Sequence, residues 1–232
     1  MNEQSVSDIE TTETNRLAAT PIEYRRELLV GMRIVLYMVP ASIIIGVAGA
    51  FVAQYYENQN QPTPIAIDLL IIVLSIAVGA AALVGWIKAT IPSDSHGEAA
   101  LGGKSREVLR TCAFIALGII ATSTILSLLE VAGLLTSFGL LLTIGVILAI
   151  ANLVVWIVQF FSSMRFMRHI ADAGSAHTLE QRIRSDTIKI ALLSTVGIII
   201  IIGPLIAIIM LCRVYQEIIK LVRSTINEHA PI

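Results

Sequence analysis

Asn152 is the strongest hydrogen-bonding side chain placed deep in an apolar run of this sequence. By helical spacing it shares a face with Gly145, Ala149, Trp156 and Gln159. An amide in hydrocarbon needs partners, so this face is expected to point into a helical bundle. Two roles fit Asn152 and Gln159: a single interhelical hydrogen bond, worth ~0.6 kcal/mol on average, or contact with a transported substrate. Asp68 and Glu130 stand at the ends of two other apolar runs. As a pair they would form a cation-attracting mouth; singly they read as wetted interface carboxylates.

Other chemistry finds less support. Gly102-Gly103-Lys104-Ser105 resembles the end of a phosphate-binding loop, but G-x-x-x-x-G-K-[ST] requires glycine at position 98, where Glu98 stands. Ser105 is better read as the N-cap of a helix. His96, His169, His177 and His229 have no metal-ligand spacing. Nothing assembles a nucleophile, a base and an orienting group. No catalytic, cofactor-binding or metal residue is therefore assigned, and an enzyme is not expected.

These residues must be positioned by membrane helices. Hydrophobic residues make up 56% of the chain and charged residues only 14%, with a mean hydropathy of +0.81. A soluble domain carries about a quarter charged residues. Five segments have the roughly 20 apolar residues that a ~30 Å hydrocarbon core demands: 34–53, 65–87, 111–129, 138–160 and 190–211. The first begins too far along the chain, and runs too long, for a cleaved signal, and is read as a retained span. The fold class is thus all-α, a polytopic bundle over residues 20–212. An acidic disordered tail is expected at 1–19, and an amphipathic helix at 213–232 with Val214, Ile218, Val222 and Ile226 on one face.

The loops set orientation. Arg16, Arg25, Arg26, Arg33, Lys88, Lys104, Arg106, Arg110, Arg165, Arg168, Arg182, Arg184 and Lys189 fall on one side, while Tyr55–Pro64 and Glu130–Ser137 carry no base. The positive-inside rule puts the basic side, and the N-terminus, in the cytoplasm. Five spans then leave Arg213, Lys220 and Arg223 outside, against the rule. Gly203-Pro204 interrupts the fifth segment, which is about half the length of a hairpin that crosses twice, so a kinked single span is expected.

Small residues recur every fourth position in the first two spans, at Ser42, Gly46 and Ala50 and at Ala77, Ala81 and Gly85. Such faces allow close helix packing, within one bundle or between two copies. Thr20-Pro21-Ile22-Glu23 and Thr178-Leu179-Glu180-Gln181 have the form of capping boxes. Leu83-Val84-Gly85-Trp86-Ile87 and Leu153-Val154-Val155-Trp156-Ile157 suggest a repeated hairpin, a transporter-like arrangement. Chance in a small apolar alphabet, with Trp favoured near the interface, is the simpler reading.

Trp86–Arg110, with Ile91-Pro92-Ser93, and the stretch Phe160–Ala171 resemble a group of multi-span inner-membrane proteins of planctomycete-type bacteria. The resemblance covers about the middle half of the chain. It implies residence in a bacterial inner membrane and transfers no functional residues.

The expected role is a non-catalytic scaffold or accessory subunit of the inner membrane, with a small transporter or channel as the alternative. The expected partners are the lipid bilayer, its anionic headgroups through the basic loops, and another membrane protein or a second copy. No cofactor and no nucleic acid are expected.

Overall fold

The computed structural model describes residues 15–91, 101–131, 138–195 and 202–227, and these form six helices without a strand. The helices are α1 (Ile22–Asn58), α2 (Ile65–Ala89), α3 (Gly103–Val131), α4 (Phe138–Ala173), α5 (His177–Thr195) and α6 (Ile202–Asn227). The first four are long and apolar enough to cross a membrane, so the chain is a membrane protein by composition and helix length. The chain divides into two compact units. One comprises residues 30–90 and 104–163, and the other comprises residues 1–29, 91–103 and 164–232. We call them the span unit and the discontinuous unit.

In the span unit, α1 and α2 approach closely at glycine. A methyl group on Gly31 would collide with the backbone nitrogen of Ala89 and lie 2.5 Å from the Gly85 carbonyl oxygen. One on Gly85 would lie 3.0 Å from the side chains of Ile34 and Val35. Glycine is needed at Gly31 because the partner there is backbone, which has no side chain to swing aside. Of the two small-residue stripes, Gly85 is therefore buried in this contact. Ser42, Gly46 and Ala50 are exposed, and a methyl on Gly46 would meet nothing within 4 Å. Farther along, Gly49 rather than Gly46 faces Ile71 of α2. α1 ends with Asn60 in the left-handed region at φ 52°. The Gln61 N–H closes back on the Tyr56 carbonyl at 3.0 Å, a helix stop that asparagine tolerates.

The hydroxyls of Ser75, Thr122, Thr124 and Thr143 each donate to the carbonyl four residues earlier, at 2.8–2.9 Å. A hydroxyl so engaged costs little in hydrocarbon and offers no donor to a neighbour. Trp86 is buried and Trp156 half exposed, so the two Trp-containing pentapeptides do not occupy equivalent environments.

The discontinuous unit has a conventional core. Leu17, Leu28, Phe166, Met167, Ile170, Ile183, Ile218 and Val222 are all fully or almost fully buried. Asn15–Ala19, expected within the disordered tail, leads into a turn with Thr20 instead. The Leu17 N–H donates to the Ala173 carbonyl at 2.8 Å, and the Leu17 side chain has no exposure. One buried leucine and one capped carbonyl are what the acidic composition concealed. The rest of that tail, residues 1–14, lies outside the described residues.

Neither capping box forms as expected. The Thr20 hydroxyl donates to the Leu17 carbonyl at 2.7 Å. The first α1 bond, from the Arg25 N–H, goes to Pro21 at 3.2 Å. In α5 the Glu180 N–H reaches Ala176, so Thr178 sits inside the helix. Ser105 likewise lies within α3 and does not precede it.

The fifth apolar segment differs most from expectation. Residues 196–201 lie outside the described residues, and on either side of them stand two helices that pack side by side. The Arg182 Nη1–Glu217 Oε1 distance is 2.9 Å. Arg182 lies thirteen residues before the end of α5, and Glu217 fifteen after the start of α6. Comparable distances from a short connection are the signature of an antiparallel pair. A kinked single span over 190–211 would place these two residues at opposite ends of one rod. Pro204 lies in α6 two residues after Ile202, the first described residue of that helix. α6 then runs unbroken to Asn227 with Val214, Ile218 and Val222 buried and Lys220 and Arg223 exposed.

Candidate functional site

Three places collect polar side chains, and each lies within one unit. The first is a cleft of about 340 Å³ in the span unit, lined from α3 by Ile119, Ser123, Leu126 and Ser127 and from α4 by Gly145, Leu148, Ala149 and Asn152. Gly145, Ala149 and Asn152, expected to point into the bundle, line this cleft but are exposed, as is Trp156. Ser123 and Ser127 join Asn152 there, although their spacing on α3 drew no attention in the sequence. Among the described residues, Asn152, Ser123 and Ser127 make no side-chain hydrogen bond, in contrast to the back-bonded Thr122 and Thr124 beside them. Gln159 is half-buried on the same helix, one turn beyond Trp156. Trp156 stacks on Phe160 with ring centroids 6.0 Å apart.

Asp68 is half-buried in the first turn of α2, where the helix has no side-chain cap. A carboxylate there is favoured by the partial positive charge of the helix N-terminus, a local role that needs no ion pathway. Glu130 lies in the last turn of α3, and its side chain is outside the described residues.

The second place is the turn between α4 and α5. Asp172, His177 and Glu180 bring three potential ligand atoms within 4.8 Å of one another. Sequence spacing gave no hint of this, because the cluster depends on a tight reversal at Gly174-Ser175-Ala176. There Ser175 adopts φ 54° and the Ala176 N–H reaches the Ala171 carbonyl at 2.9 Å. Both carboxylates already face guanidinium groups, Arg16 at 3.0 Å from Asp172 and Arg168 at 2.7 Å from Glu180. Two cations at the rim neutralise the charge that a metal ion would need. The cluster reads as an ion-paired turn holding the N-terminal segment against α4.

The third place is the flank of the α5–α6 pair, a cleft of about 530 Å³ that includes Arg182, Asp186 and Lys189 from α5 and Met210 and Arg213 from α6. Its charges form a ladder. Arg182 meets Glu217 at 2.9 Å and Asp186 at 3.7 Å, Lys189 meets Asp186 at 3.7 Å, and Arg213 meets Glu217 at 3.5 Å. Beyond Lys189 on α5 and before Arg213 on α6 every Lys, Arg, Asp and Glu disappears from the sequence. Leu192, Leu205 and Ile209 are there more than half exposed. Sequence reading missed the ladder because it placed Arg182 and Arg213 on opposite sides of a membrane.

A fourth feature is structural. Arg25 is buried in the first turn of α1, and its guanidinium donates to the Thr225 carbonyl in the last turn of α6. A cation on the free carbonyls of a helix C-terminus is a favourable cap.

No known protein family, no curated protein and no solved structure matches this chain.

Proposed function

We propose that the protein is a non-catalytic component of a bacterial inner membrane: four spans carry a cytoplasmic helical platform, which docks a partner membrane protein or a second copy. The observation that carries this reading is the side-by-side pairing of α5 and α6 through Arg182 and Glu217. With the fifth segment folded back on itself, Arg213, Lys220 and Arg223 join the other Lys and Arg, and all sixteen fall on one side. The conflict with the positive-inside rule that five spans create then disappears. Both termini are cytoplasmic in this topology, and the discontinuous unit is the cytoplasmic platform. Its well-packed core supports a docking role, since a rigid surface binds without an ordering cost. The bacterial setting rests on the resemblance of Trp86–Arg110 and Phe160–Ala171.

Two experiments test the proposal. A reporter fused after Ile232 should be active only in the cytoplasm, and one inserted after Asn60 only outside. A periplasmic C-terminus would restore five spans and sink the topology. Affinity purification from native membranes should yield a stoichiometric partner or a homo-oligomer, and a chain isolated strictly as a monomer would remove the scaffold role.

The α3–α4 cleft favours a second reading, a small transporter or channel. Three polar side chains without hydrogen-bond partners on two neighbouring membrane helices are what a hydrophilic solute would use. Reconstituted vesicles decide it: specific flux lost on Asn152→Leu would replace the scaffold reading.

A further inference from the structure

The α5–α6 pair is two different surfaces end to end. Toward Arg182 and Glu217 it is charged, and its inner faces join the core through Ile183 and Ile218. Toward the connection it is apolar and exposed, at Leu192, Leu205 and Ile209. The apolar part of α6, from Ile202 to Cys212, rises about 16 Å at ~1.5 Å per residue. This is about half of a ~30 Å hydrocarbon core. An arm of this length reaches into one leaflet. If the tip is in hydrocarbon, Lys189 and Arg213 stand at the depth of the lipid phosphates, since they are the last charges before it.

At that level the flanking cleft has cationic donors to spare. Lys189 and Arg213 are 60% and 67% exposed, and each has a single carboxylate neighbour no closer than 3.5 Å. With Arg182 they make three cations against Asp186 and Glu217, a net charge of +1 around a space of about 530 Å³. Met210 lines the same space on its apolar side. A ligand that fits has a phosphate at one end and a hydrocarbon chain at the other. Basic clefts between helices at the cytoplasmic face are known to hold anionic headgroups in this way.

We propose that this cleft is a binding site for an anionic phospholipid, its phosphate held between Lys189 and Arg213 and its acyl chains lying along Leu192, Leu205 and Ile209. The bound lipid fixes the hairpin in the cytoplasmic leaflet. This rests on the topology proposed above, but the two fail separately: lipid binding is read in detergent, where sidedness plays no part, and topology is read by the reporters.

The experiment is native mass spectrometry of the full chain in a neutral detergent, titrated with phosphatidylglycerol, phosphatidylcholine or inorganic phosphate. Phosphatidylglycerol should stay bound, phosphatidylcholine should bind at least about tenfold more weakly, and millimolar inorganic phosphate should not displace the lipid. Lys189→Gln with Arg213→Gln should weaken phosphatidylglycerol by about tenfold or more. Arg184→Gln with Arg223→Gln removes equal charge outside the cleft and should leave binding intact. Equal losses in the two double variants would overturn the proposal in favour of diffuse attraction. Displacement by inorganic phosphate would assign the cleft to a soluble anion and also overturn it. A photoactivatable phosphatidylglycerol on the unaltered protein gives an answer that does not depend on the variants folding. Its crosslinks should map to 189–195 and 205–213, and crosslinks confined to α1–α4 would reject the site.

Discussion

The span unit and the discontinuous unit solve the same problem, hiding apolar surface, in opposite ways. In the four spans, at most 11% of the most apolar 18-residue window of any helix is buried within the protein. Side chains such as Val73, Ile125 and Leu153 are left more than half exposed. Lipid is the solvent that makes this acceptable, and helices meet closely only where glycine permits, as at Gly31 and Gly85. The discontinuous unit instead buries Leu17, Phe166, Ile170 and Ile218 to zero exposure, as a water-soluble domain does. Hydropathy alone would rank the spans as the core. Packing places the core where the sequence is most polar.

The contrast can be broken by substitution. The largest effect should come from Phe166→Ala, which removes a fully buried aromatic ring and should cost about 3–5 kcal/mol. Val73→Ala, on an exposed position of α2, should stay within ~0.5 kcal/mol. Thermal unfolding in detergent measures both, and similar losses would erase the distinction between the units. Next, Ile209→Asp puts a charge on the exposed hairpin tip. It should lower membrane-assembled protein as a cost of up to about 2.5 kcal/mol dictates, whereas a tip in water would gain solubility. Gly31→Ala should cost about 1–3 kcal/mol, because overpacking here presses a methyl group into backbone; an unchanged melting temperature would mean that α1 and α2 do not meet at this point. The smallest effect belongs to Asp172→Asn. Its ion pair with Arg16 is exposed, 42% and 56% on the two side chains. Loss should be under about 1 kcal/mol and should vanish in high salt. A larger loss would mean that the α4–α5 turn does more than hold the N-terminal segment.

Four spans were legible in the sequence because each is a run of about 20 apolar residues with polar ends, which is all that hydropathy detects. The segment 190–211 satisfies the same test, yet a window average cannot tell one crossing from two half-length arms. The core was illegible for another reason. Leu17, Phe166 and Ile218 come from three short amphipathic pieces, and no periodicity within one piece reports its partners in the others. Asn152 was legible as an isolated polar group in an apolar run, whereas Ser123 and Ser127 were not. Serine is common in membrane helices, and only the absence of back-bonding separates these two from Thr122 and Thr124.

The bond from Arg25 to the Thr225 carbonyl joins residues 200 positions apart and sets an order of assembly. At ~5–20 residues per second the ribosome needs on the order of ten seconds or more between the two. During that time α1 to α4 can enter the bilayer one after another. Leu28 and Phe166 are made before Ile218 and Val222, which are buried in the same unit. The unit that holds this bond therefore closes only after Thr225 has been made. A nascent chain cut short before α6 would lack Ile218 and Val222 from that core, so exposed Leu17, Leu28 and Phe166 would mark such a copy for removal by proteases.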